Sequence, residues 1–135
     1  MPSVSRDRNE LADLVGPFWS WSRVSAALGL SSDRRARGEV GGALLGLATT
    51  DGQVVYPVWQ FHRLPSGRVE VRPGLAAVFH ELQGFDPWAV AVLIHTPAPE
   101  LDGQTPLEAA RSGAAPDDLA RVAHAVRREW ATPAG

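Results

Sequence analysis

The stretch from Thr96 to Gly113, TPAPELDGQTPLEAARSG, decides how this chain is read. Thr96-Pro97 and Ala98-Pro99 hold the backbone extended, because a proline ring clashes with a helical predecessor. Asp102-Gly103 is a tight-turn pair. A helix start follows. Thr105 can cap it, Pro106 suits the first helical position, and Glu108 can return a bond to the Thr105 backbone. Gly113 stands where a left-handed residue would close that helix. The stretch therefore reads as a stiff loop that delivers the chain into a short helix with defined ends.

Downstream, the segment Pro116 to Trp130 places Leu119, Val122, Ala123, Val126 and Trp130 on one helical face. Asp118, Arg121, Arg128 and Glu129 fall on the opposite face, as expected for an amphipathic helix. Upstream, Asp86-Pro87 starts a helix over Trp88 to Ile94 that is apolar on every side, which predicts a central buried helix. Before it, Pro73-Gly74 opens a helix carrying Leu75, Val78, Phe79 and Leu82, and Gly84 ends it.

The first half has a different texture. Residues 1–9 are polar and expected to lack structure, and residues 10–15 make a short helical turn ended by Gly16-Pro17. Phe18, Trp21, Val24 and Leu28 recur at helical spacing, which predicts a helix over 18–28 closed by Gly29. A second helix is expected from Ser31 or Ser32, with Arg34, Arg35 and Arg37 on it. Leu44–Thr49 and Val54–Phe61 read as strands around the turn Thr50-Asp51-Gly52. Pro57 marks an edge strand or a strand end. A second turn at Pro65-Ser66-Gly67 leads into a strand at Arg68–Val71. Trp59 and Trp88 are expected to pack the two halves together.

The expected fold class is α+β, mostly helical. Residues 1–72 form a winged-helix-like region with a β-hairpin, and residues 73–135 form an all-α region. The order helix, turn, helix, wing resembles the small winged-helix domains of excisionase and MerR-like proteins.

Composition narrows the function. Of 135 residues 44% are hydrophobic, enough for a real core. There is no cysteine, which excludes disulfides and thiol chemistry. No apolar run is long enough to span a bilayer, and the opening MPSVSRDRNE lacks a signal-peptide core, so a cytoplasmic protein is expected. The net charge of −2 is unevenly spread. Residues 1–72 hold 9 arginines against 7 acids, and residues 73–135 hold 4 against 8. A basic front and an acidic back point to different partners.

Catalytic patterns are missing: no GxSxG, no GxGxxG and no P-loop occur. His62, His80, His95 and His124 show no metal-ligand spacing, and His80-Glu81 lacks the second histidine of HExxH. Of the four, His95 sits beside the loop. No enzyme, cofactor or metal is expected. Arg34, Arg35 and Arg37 are the candidates for nucleic acid, since arginine contacts phosphates and reads guanine in the major groove. The competing reading is a solvated helix face, because Asp33 and Glu39 offset part of that charge.

The motif TP-x-P-x-LDG-x-TPLEA-x-R-x-G resembles the toxin-binding domain at the C-terminus of Xre/MbcA/ParS-type antitoxins, over about Pro73 to Trp130. The resemblance implies a protein that binds and occludes a cognate toxin, commonly a RES-type toxin that consumes NAD, and that acts as a homodimer on its own promoter. Toxin contacts are then expected at Thr96, Pro97, Leu101, Asp102, Gly103, Thr105, Pro106 and Arg111, with Arg128 and Trp130 near the end of the chain. Trp130 suits an anchor because tryptophan is enriched in interface hot spots. The front half departs from the family pattern in carrying a wing and the YPVWQF stretch. The alternative is a stand-alone winged-helix DNA-binding regulator.

Overall fold

A computed structural model describes residues 13–29 and 44–131. The fold is mixed α+β, with two small antiparallel sheets and a helical C-terminal part. Residues 13–15 are helical, and Gly16-Pro17 is a cis peptide. Strand β1 is Phe18–Ser20 and helix α1 is Trp21–Leu28. The predicted helix over 18–28 is therefore too long by three residues. Phe18, Trp19 and Ser20 pair with Pro57, Tyr56 and Val55, and Trp19 stacks on Phe61 at 5.1 Å. These partners lie far along the chain and override the local helical spacing. Ser20 then caps α1 by accepting the Arg23 N–H at 3.2 Å, and Gly29 closes it at φ 70°. The helix expected from Ser31 or Ser32, with Arg34, Arg35 and Arg37, lies outside the described residues.

Strands β2 (Leu47–Ala48) and β3 (Val54–Pro57) form the expected hairpin, but both are shorter than predicted. The sheet order is β1-β3-β2, so Pro57 ends a central strand and does not mark an edge. A 3₁₀ turn at Val58–Gln60 follows, which moves Phe61 out of that sheet. Phe61 instead opens β4 (Phe61–Arg63), paired with β5 (Val69–Val71). His62 and Glu70 face each other in that register at 2.9 Å.

Gln60 is fully buried, and its amide is satisfied. Its Oε1 accepts from Leu45 N at 2.9 Å, and its Nε2 donates to the carbonyls of Leu45 and Pro57 at 2.9 and 3.0 Å. A buried amide left without those partners would be costly. Gln60 therefore fixes the path of the chain entering β2.

Four helices follow, each opened by a proline at its first turn: α2 (Pro73–Glu81), α3 (Pro87–Ile94), α4 (Pro106–Arg111) and α5 (Pro116–Ala131). In α3 only Val90, Ala91 and Ile94 are buried, so the central buried helix predicted over Trp88–Ile94 is half-buried instead. The dominant helix pair is α2 against α5. Gly74 permits that approach, since a Cβ there would overlap Cδ1 of fully buried Leu119. At the other end, Glu81 accepts from His124 Nδ1 at 2.9 Å and Arg127 at 3.3 Å.

One core joins both parts of the chain. Val15, Leu45, Leu47 and Trp59 pack in the same cluster as Leu75, Phe79, Ile94 and Leu119. The Trp59 indole donates to Val15 O at 2.6 Å, and the Trp88 indole donates to Ala48 O at 2.9 Å. Trp88 thus ties the back to the front, and the Trp59 ring does the same by meeting Phe79 at 6.3 Å and His95 at 5.1 Å, as predicted. A smaller cluster of Val24, Tyr56, Phe61 and Val69 sits under α1. No described helix is long and apolar enough to cross a membrane.

Candidate functional site

The loop between α3 and α4 is built as its sequence predicts. The Thr96 hydroxyl donates back to Val92 O at 2.7 Å, ending α3 before exposed Pro97. Ala98 is the buried pivot. Its N–H donates to Gln104 O at 2.9 Å, and its carbonyl accepts from Leu101 and Gly103, both at 3.0 Å. Pro99–Leu101 forms a 3₁₀ turn, and Asp102 and Gly103 then turn the chain at φ 56° and 84°. Asp102 is the one non-glycine residue with positive φ among the described residues. Such a conformation costs on the order of 1 kcal/mol or more and tends to mark functional positions.

The loop delivers Thr105 as an N-cap with both arms of the capping box formed. Thr105 Oγ1 accepts from Glu108 N at 3.0 Å, and Glu108 Oε1 accepts from Thr105 N at 2.9 Å. Pro106 is buried at the first helical position. Past the C-cap Ser112, Gly113 has φ 86°. Ala114 N then bonds Ala109 O at 3.0 Å and Gly113 N bonds Ala110 O at 3.3 Å, the two bonds of a Schellman end. A six-residue helix is marginal on its own. Here both ends are closed.

Beside the loop lies a cleft of about 440 Å³, lined by Glu100, Leu101, Asp102 and Gln104 on one side and Asp118, Arg121 and Val122 of α5 on the other. Three carboxylates face one arginine, and Arg121 reaches Asp118 at 3.6 Å. The cleft is therefore acidic. Thr96, Pro97, Leu101, Asp102, Gly103, Thr105 and Pro106 all belong to this loop or to the helix start it feeds.

The remaining expected contacts lie elsewhere. Arg111 belongs to α4, where residues advance about 100° each. It shares a face with Leu107, four residues earlier, while Ala109, which lines the loop cleft, lies about 200° from Leu107. Arg111 thus points to a different cleft. Trp130 is twelve positions beyond Asp118 on α5, a rise of about 18 Å. It packs edge-on against Phe85 at 5.5 Å and is 36% exposed, with Arg128 exposed nearby. Arg34, Arg35 and Arg37 lie outside the described residues.

The Arg111 cleft is a feature that sequence reading missed. Its volume is about 550 Å³, and Arg72, His95, Trp59 and Phe61 line it with Arg111. Burial first, and the Arg111 charge second, hold the His95 imidazole below its usual pKa. The same two causes lower Arg72. No sequence signal could have joined these residues, because Trp59, Phe61, Arg72, His95 and Arg111 come from five separate places along the fold.

Comparison of the chain with family models, with curated proteins and with solved structures gives no match.

Proposed function

We propose that this chain is an antitoxin-like protein that binds a cognate protein toxin and blocks its active-site entrance, with no chemistry of its own. The observation that carries this reading is the strained Asp102 held in a closed loop beside an acidic cleft. A loop fixed before binding loses little conformational entropy on docking. The charge fits the toxin class that the sequence resemblance implies, a RES-type enzyme that consumes NAD. A pocket for a dinucleotide needs cationic groups for its phosphates, and an acidic surface complements such a pocket and speeds its docking. Trp130 is a second contact, at the far end of α5.

The test is co-purification with the product of the neighbouring gene. Wild-type protein is expected to capture it, and the triple variant Glu100→Gln, Asp102→Asn, Asp118→Asn, which removes the three carboxylates of the cleft, is expected to capture at least about tenfold less. Failure of the wild type to capture it, or equal capture by the triple variant, overturns the reading.

A second reading, a winged-helix regulator acting on DNA without a toxin, draws support from the sheet. A strand, a helix and then a hairpin, with β1 added to the free side of β3, fit part of that order; its second helix would fall in the stretch outside the described residues. In either reading the stretch containing Arg34, Arg35 and Arg37 is the proposed DNA contact. A homodimer would double its weak individual hold.

A further inference from the structure

The cleft on the far side of α4 brings together charge that no acidic group among the described residues neutralises. Arg72 stands just before α2, and Arg111 ends α4. Among the described residues no carboxylate lies within ion-pair distance of either guanidinium. Arg72 is half-buried, and its Nε donates to Trp59 O at 3.4 Å, which orients the group and leaves its terminal nitrogens unused. His95 lines the same cleft. Its ring meets Trp59 edge-on at 5.1 Å, and its buried Nε2 has no hydrogen-bond partner. Pro17, Val58 and Leu107 supply apolar wall.

Two cations and an apolar wall around about 550 Å³ form a site with no counter-charge among the described residues. Pockets for small molecules have this size and this mixture of apolar wall with a few converging polar groups. We infer that this cleft binds a small phosphomonoester, with its phosphate held between Arg72 and Arg111 and its organic part against Pro17, Val58 and Trp59. A phosphomonoester carries about −1.5 to −2 charges at neutral pH, which matches two guanidiniums. Arginine forks fit its oxygens in pairs. A carboxylate would neutralise one arginine and leave the other unmatched. The site lies on the face of α4 opposite the loop cleft, so it stands apart from the acidic cleft proposed for the toxin, and it takes up Arg111, which the sequence resemblance had assigned to the toxin.

The test is titration calorimetry of the full chain with phenyl phosphate, inorganic phosphate and benzoate at constant ionic strength. Phenyl phosphate is expected to bind saturably at millimolar concentration or below, ahead of both others. Arg111→Gln and Arg72→Gln are each expected to weaken it by about tenfold or more. Arg111 is exposed, so its variant keeps the fold and the test stands even if Arg72→Gln does not fold. Absence of saturable binding, benzoate or inorganic phosphate binding as tightly as phenyl phosphate, or unchanged affinity in Arg111→Gln would each overturn the assignment.

Discussion

Gly74 lies against Leu119 so closely that no side chain fits between them. Leu119 is fully buried, so its side chain has nowhere to withdraw. Gly74→Ala is expected to lower stability by about 1–3 kcal/mol, the usual cost of overfilling a packed core. Leu119→Ala alone should cost about 2–5 kcal/mol. The double variant should lose less than the sum, because the second change makes room for the first. Denaturant melts of the four proteins decide it, and strict additivity would rule out the contact.

The closed ends of α4 lead to a second expectation. Thr105→Ala removes the oxygen that accepts from Glu108 N and should cost about 1 kcal/mol. Glu108→Ala removes the reciprocal arm and should cost less, since the hydroxyl remains. An unchanged urea midpoint in Thr105→Ala would show that the cap contributes nothing.

His95 gives a pH dependence whose sign is fixed. Burial and the nearby Arg111 lower its pKa in the folded protein, so the unfolded chain binds the proton more readily. The resulting stability is fully present above the ordinary imidazole pKa. It is lost as pH falls through the lowered value. Thermal melts across that range should show the wild type losing midpoint faster than His95→Gln. Parallel curves would place the pH effect elsewhere.

The loop and the tail should act separately on the proposed toxin. About 18 Å of helix separates Asp118 from Trp130. Trp130→Ala is expected to weaken binding by roughly thirtyfold, corresponding to about 2 kcal/mol for a hot spot. Combined with the loop triple variant, the losses should add within about 0.5 kcal/mol. Calorimetry on variants checked for folding is the measurement. Unchanged affinity in Trp130→Ala would confine the interface to the loop.

For DNA, replacing Arg34, Arg35 and Arg37 by alanine should abolish retardation of the promoter fragment without changing the melt. Wild-type binding should fall steeply with salt, as phosphate contacts release counterions. Wild-type-like retardation by the triple variant would exclude this stretch as the reader.

The helical back of the chain was legible because its punctuation is local. Pro73, Pro87, Pro106 and Pro116 each open a helix, and Thr105, Glu108 and Gly113 stand where their chemistry acts. The front was less legible because its elements are set by distant partners. Trp19 is drawn into a strand by Tyr56, and Phe61 leaves its predicted strand for a hairpin with Val71. Gln60 looks like a surface residue in YPVWQF, and two of the three bonds that satisfy its buried amide come from Leu45, fifteen positions away. The loop cleft was half visible. Leu101 and Asp102 are in the motif, but Asp118 and Arg121 reach it only through the packing of α5.

The shared core ties the fates of the two ends of the molecule. Val15, Leu45 and Trp59 share one buried cluster with Leu75 and Leu119, so opening the front disturbs the packing of the back. Whatever grips the back therefore also slows the opening of the front. A partner at a hundredfold excess over its Kd raises the unfolding free energy by about 2.7 kcal/mol. Cellular proteases cut chains that open, so occupancy at the acidic cleft would lengthen the lifetime of the protein, its front included. Free chain would be degraded faster than bound chain, and the amount of intact protein would follow the amount of partner.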